Sequence, residues 1–339
     1  MGLNRREFFK GAGIVTAVVT MSGLTAGYAE TEPSAAKVRG MARGLTLLTI
    51  RRGGEYVLGV KTEKGILDVP LAAELLHMHA PATMDDLLQK EYGPSVNALV
   101  DAALKSPAAS KAFLKEETIQ YGPAVTRPEK IICVGLNYRR HAKEVGMPLP
   151  SQPVLFNKYN TALNCHKGTI ALPVNVAKKF DYEVELVIVM GKQAKNITEA
   201  EALSFVAGYC TGNDFTARDL QLETPSVQWM IGKTPDGFAP LGPYLVTAEQ
   251  IDPDNLKIEC RVNGETRQSS NTSDLIFNCR QIVSFISRFI TLKPGDIIYT
   301  GTPEGVIAGR PKDKQVWLKP GDKIACSLEK LGELKFELR

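Results

Sequence analysis

From residue 44 onward the apolar positions come in short runs rather than long helical stripes. Residues 45–60, L-T-L-L-T-I-R-R-G-G-E-Y-V-L-G-V, alternate about a Gly53–Gly54 pair, which predicts a β-hairpin. Lys64–Gly65 marks a second turn before I-L-D-V. A helical period then takes over around 70–78, 84–91 and 95–104. Residues 43–125 therefore read as a small N-terminal α/β domain. From about 126 the pattern returns to short strands punctuated by Gly and Pro: I-I-C-V-G, P-V-L-F-N-K, D-Y-E-V-E-L-V-I-V-M, Y-L-V-T, I-E-C-R-V, D-I-I-Y-T-G-T-P and K-I-A-C-S-L-E. Helical spacing recurs only at 199–207 and 275–289. The second unit, 126–339, is thus mainly β, and the chain as a whole is of α+β class.

The first residues follow a different rule. A charged start with Arg5, Arg6 and Lys10 precedes an apolar run from Gly11 to Gly27, and Gly27 and Ala29 offer small residues for cleavage. This predicts a secretory signal peptide over 1–29. The Arg-Arg pair followed by Phe8 and Phe9 is similar to the twin-arginine export signal. A flexible linker follows over 30–42, and the mature chain is expected in the periplasm. The apolar run is short for a span and broken by Gly and Thr, so no membrane is expected in the mature form. The chain has 339 residues and a formal net charge of +4. That balance is too small to imply a nucleic-acid partner. Six cysteines at irregular spacing include no C-x-x-C pair, and those inside apolar runs read as small buried hydrophobes.

The chemistry is concentrated at strand ends. In 180–192 the acids Asp181, Glu183 and Glu185 occupy alternate positions and so are expected on one face of a strand. Like charges this close need a neutralising partner, and the apolar L-V-I-V-M that follows places them at the rim of a core. Oxygen-only ligands suit Mg²⁺ or Mn²⁺, with Ca²⁺ also compatible, and the lack of a His–Cys cluster argues against zinc. A third ligand is expected from G-N-D-F-T-A-R-D, where Asp214 follows an apolar strand. Asp219 reads as a structural partner of neighbouring Arg218. In G-L-N-Y-R-R-H-A-K-E a helical turn brings His141 and Glu144 together, a pair able to activate water. Lys158 and Lys233 end apolar segments and could hold an anionic group. The turn Y-T-G-T-P-E-G could offer donors to an anion.

Together these segments resemble the fumarylacetoacetate hydrolase family. The resemblance runs in order from about 130 to 339 through G-L-N-Y-x-x-H-A-x-E, P-V-L-F-x-K, D-Y-E-V-E-L, N-D-F-T-A-R-D-x-Q, the Gly232 to Pro243 run and Y-T-G-T-P-E-G-V. It implies a mixed β-sandwich roll, a homodimer, and Mg²⁺ or Mn²⁺ in the active site. The metal ligands carry over to Glu183, Glu185 and Asp214, the catalytic pair to His141 and Glu144, and the active-site lysine to Lys233. Arg218, Gln221 and Thr302 match substrate-contacting positions, and Asp181 matches an acid that supports the site. Arg140, the Cys165–His166 segment and Ile307 depart from the family pattern in loops near the pocket. The implied activity is hydrolysis of a carbon–carbon bond in a β-diketone acid such as an acylpyruvate or a fumarylacetoacetate-like substrate. The alternatives are a decarboxylase, isomerase or hydratase of a 2-oxo acid using the same site, or a non-catalytic periplasmic binding protein.

Overall fold

The structure, a computed structural model, describes residues 39–225 and 228–339. The expected leader and most of the linker lie outside the described residues. No helix among the described residues is long and apolar enough to cross a membrane.

The strand Val184–Met190 organises the fold. Every one of its residues is buried. Its even positions, Val184, Leu186, Ile188 and Met190, belong to one apolar core, and Val187 and Val189 belong to another. Two-sided burial explains why the sequence here is a continuous apolar run rather than an alternation. On one side Val184–Met190 pairs with Val206–Asn213, and on the other with Ile297–Tyr299, both antiparallel. The sheet continues from Ile297–Tyr299 in parallel to Ile131–Gly135, and then to Val154–Lys158. In the other direction it passes through Leu245–Thr247 to Thr46–Arg52 and Glu55–Thr62, the predicted N-terminal hairpin. The whole is an eleven-stranded sheet.

One face of this sheet packs on a five-stranded sheet containing Lys257–Val262, Lys323–Leu328 and Gly332–Leu338, together with the helix Cys279–Phe289. The opposite face carries the helices Val69–Leu75, Met84–Gln89 and Gly93–Lys105. Leu47, Leu58 and Val60 share that second core with Val187, Val189, Cys210 and Tyr299. The described residues form one compact unit. The fold is α+β, mainly β, with two packed sheets.

Local chemistry explains the helix limits. Asn278 accepts from the Gln281 N–H at 3.1 Å while Gln281 reaches back to the Asn278 N–H at 3.0 Å, a reciprocal cap that starts the helix at Cys279. The helical spacing from 275 therefore begins four residues too early. The expected helix over 199–207 is a single 3₁₀ turn, Ala202–Phe205. The chain then enters the buried strand Val206–Asn213, because pairing with Val184–Met190 outweighs the local helical preference of E-A-E-A-L.

Candidate active site

The site sits where three strands of the large sheet end. Glu183 and Glu185 lie at the start of the central strand. Asp214 follows the end of its neighbour, and the Asp214 N–H donates to the Glu183 carbonyl at 2.9 Å. The antiparallel register Val184↔Asn213 thus brings Glu183 and Asp214, far apart in the sequence, onto one point. Carboxylate oxygens of Glu183, Glu185 and Asp214 lie within 4.8 Å of one another, all buried.

Cations surround the three acids. Lys233 Nζ bridges Glu183 Oε2 at 2.5 Å and Asp214 Oδ2 at 2.8 Å. Lys158 pairs with the other oxygen of Asp214 and donates to the carbonyls of Phe215 at 3.1 Å and Phe238 at 2.7 Å. Arg218 spends its guanidinium on Asp181 (2.8 Å), Gln221 (2.9 Å) and Glu183 (2.6 Å). Burial works to raise the Glu183 carboxyl, but Lys233 and then Arg218 overcome it and hold it at about 2. Among the described residues Glu185 has no such ion-pair partner. Burial, then the charges of Asp214 and Glu183, push it well above the usual carboxylate range, against Lys233 and the Gly301 N–H. Four buried acids, counting Asp181, face three buried cations, so a protonated Glu185 leaves the cluster balanced.

These residues fit a divalent cation. The Lys233 ammonium already lies between two of the acids, so the pocket is shaped to hold positive charge. The donors are carboxylates alone, the hard set that Mg²⁺ and Mn²⁺ prefer. A divalent ion with ionised Glu185 would leave one excess positive charge, ready for an anionic substrate.

Opposite the acids stands the His141–Glu144 pair, on the short helix Arg139–Glu144. His141 Nδ1 lies 3.2 Å from Glu144 Oε2. The Gly305 N–H donates to both oxygens of Glu144, at 3.0 and 3.2 Å. Nδ1 is therefore committed, which leaves Nε2 as the ring nitrogen able to take a proton. His141, Glu144, the three acids, Arg218, Gln221, Lys233 and Thr302 all line one cavity of about 430 Å³. The nine residues singled out from the sequence thus meet in one place.

Other details differ from the sequence reading. Asp181 does not share the cavity face with Glu183 and Glu185. It lies in the separate short strand Phe180–Asp181, where it accepts from the Ile307 and Ala308 N–H groups and from Arg218. Asp219 does not pair with Arg218. It accepts from the Lys178 N–H at 2.6 Å, because Arg218 is drawn inward by Asp181 and Glu183. Lys158 holds Asp214 rather than standing free for a substrate. Gln268 carried no sequence signal, sitting in the polar strand Glu265–Asn271. It is buried, accepts from the Val184 N–H, and donates to Thr302 Oγ1 and the Pro303 carbonyl, tying the 301–305 turn to the central strand.

Residues 130–339 match the family described as fumarylacetoacetate (FAA) hydrolase, C-terminal. The chain belongs to this family. Among its relatives is the mitochondrial oxaloacetate tautomerase FAHD2A of Bos taurus, 43% identical over 253 residues, covering 74% of this chain and 78% of the relative. Similar solved structures include 5-carboxymethyl-2-hydroxymuconate delta-isomerase from Mycobacterium smegmatis, with a TM-score of 0.64 and 30% identity over 86% of this chain and 98% of that one. Another is fumarylpyruvate hydrolase from Pseudomonas aeruginosa in complex with Mn²⁺ and pyruvate, with a TM-score of 0.57 and 35% identity over 65% of this chain and 91% of that one. This chain is a fumarylacetoacetate hydrolase family enzyme, with an acidic triad able to hold a divalent metal.

Proposed function

We propose that this chain is a divalent-metal-dependent hydrolase that cleaves a carbon–carbon bond of a 2,4-dioxo acid. The observation that carries the reading is the buried acidic triad and the His141–Glu144 pair in one cavity. A cation held by Glu183, Glu185 and Asp214 would supply Lewis-acid polarisation of the oxo acid's carboxylate and neighbouring oxygen. Lys233 lies beside the same acids and can hold negative charge as it develops. His141 Nε2 takes a proton from water, and Glu144, fixed by the Gly305 N–H, supports the imidazolium that forms. The hydroxide adds to the distal carbonyl. The carbon–carbon bond then breaks, its electron pair leaves as an enolate, and the proton from water ends on that carbon.

The 43% identical relative supports a second reading, tautomerisation of a 2-oxo acid. There His141 would move a proton between carbon and solvent without water addition. The same residues serve both, so product analysis separates them. Purified chain with Mn²⁺ is offered acylpyruvates and, separately, enol-oxaloacetate. Release of pyruvate and a carboxylic acid supports hydrolysis. Enol–keto interconversion with no cleavage favours the second reading, and neither activity sinks both. His141→Ala should lower the rate about 10²- to 10⁴-fold. It should leave Mn²⁺ affinity nearly intact, since His141 is not among the three acids. The signal-like sequence pattern of residues 1–29 is what supports a periplasmic setting in this reading, and N-terminal sequencing of the chain from a fractionated cell, showing whether it is cleaved and found in the periplasmic fraction, would test it.

A further inference from the structure

The cavity has more wall than the acidic triad needs. Val145, Met147, Phe156, Leu222 and Trp229 all line it. Trp229 stands edge-on to Phe156 at 5.6 Å between ring centroids and packs so closely over Gly135 that a Cβ there would lie 2.3 Å from the indole. Met147 and Leu222 are 51% and 47% exposed, large apolar side chains left uncovered at the same cavity. A volume of about 430 Å³ lies in the range of clefts that enclose medium-sized ligands, roughly 300–1,000 Å³. A four-carbon diacid gathered at the triad would leave this apolar wall bare.

The charges point the same way. Among the described lining residues, only Arg218 and Lys233 carry a fixed positive charge. Arg218 is committed through all three guanidinium nitrogens and is 7% exposed. Lys233 lies against Glu183 and Asp214, at the triad end. Arg139, Arg140 and Lys143, the exposed bases on the His141 helix, are not lining residues, and Arg140 pairs with Glu304 at 3.0 Å. A second carboxylate at the apolar wall would find no cation and would face Glu144. Burying an unpaired carboxylate is costly, whereas each apolar group covered there gains.

We infer that the far end of the substrate is an uncharged apolar acyl group, and that Val145, Met147, Phe156, Leu222 and Trp229 select it against a second carboxylate. This rests on the proposed reading for the oxo-acid end, so the test reads binding rather than turnover. Calorimetry on the Mn²⁺-loaded protein compares length-matched pairs: 2-oxopentanoate with 2-oxoglutarate, and 2-oxohexanoate with 2-oxoadipate. Affinity should rise about fourfold for each added methylene in the monoacids. Each monoacid should bind about tenfold or more tighter than its diacid partner. Leu222→Arg and, separately, Met147→Arg should narrow or reverse that gap. Both side chains are about half exposed, so an unchanged melting temperature confirms the fold of each variant.

Diacids that bind as tightly as the monoacids in the wild-type protein would overturn the inference. A flat response to chain length would do so too. Monoacid preference without cleavage of any dioxo acid keeps the apolar end and sinks the hydrolase reading. Cleavage with diacid preference sinks the apolar end alone.

Discussion

At the scale of single residues, the account turns on Glu185. Glu183 and Asp214 each touch Lys233, while Glu185 accepts from the Gly301 N–H at 2.6 Å and pairs with no cation among the described residues. Burial, then the charges of Asp214 and Glu183, raise its pKa, so without an ion it keeps its proton to higher pH than an ordinary carboxyl. An incoming cation needs the ionised form. Ion binding therefore releases a proton, and affinity rises with pH until the raised pKa is passed. Calorimetric titration of Mn²⁺ in buffers of different ionisation enthalpy should show proton release. Apparent affinity should fall as the pH is lowered. A pH-independent affinity with no released proton would place the ion elsewhere.

Much of this scale was legible in the sequence. The acids were visible because their alternation ends in an apolar run, and the His–Glu pair because three residues make one helical turn. What stayed hidden were partners brought together by long-range register. Lys158 looks free in P-V-L-F-N-K, but folding carries it beneath Asp214. Gln268 sits among polar strand residues with no mark of burial, yet it anchors Thr302 and Pro303. Pairing across dozens of residues leaves no trace in local pattern.

At the scale of elements, the 300–305 turn is the hinge between the two halves of the site. Gly301 presents its N–H to Glu185, and Gly305 presents its N–H to Glu144. Both lie at positive φ, +104° and +105°. A Cβ on Gly305 would also lie 2.1 Å from the Arg267 carbonyl oxygen. Gly305→Ala must therefore shift the turn, at a cost on the order of 1–3 kcal/mol. Glu144 loses its anchor while the acidic triad is untouched. We expect kcat to fall by up to about 10²-fold with Mn²⁺ affinity nearly unchanged, measured side by side on the same preparation. An equal loss of both would show the turn to be a general support. The sequence pattern T-G-T-P-E-G marked this turn, but only the positive φ values say why these two glycines are required.

At the scale of the whole molecule, the N-terminal hairpin belongs to the same sheet as the site. Thr46–Arg52 pairs with Leu245–Thr247, and Leu47, Leu58 and Val60 share a core with Val187, Val189 and Cys210. The helical and hairpin patterns over 45–104 were readable, but their attachment to the central sheet was not. That attachment depends on a pairing about two hundred residues apart. Unfolding should accordingly be one cooperative event across 39–339, with far-ultraviolet dichroism and tryptophan fluorescence changing at the same denaturant concentration. Trp229 lines the cavity, and Trp317 packs against the core shared with the five-stranded sheet, so fluorescence follows the site while dichroism follows the sheet. Two separated transitions would mean that the N-terminal elements stand apart.

We propose that Glu183, Glu185 and Asp214 hold a divalent ion. The most direct test is turnover of an acylpyruvate by one preparation before chelation, after exhaustive chelation, and after Mn²⁺ or Mg²⁺ is returned. The account predicts that activity disappears with the ion and returns with it, and that Glu183→Ala stays inactive at the same ion concentration. A chelated protein that stays folded and keeps its full rate would contradict it.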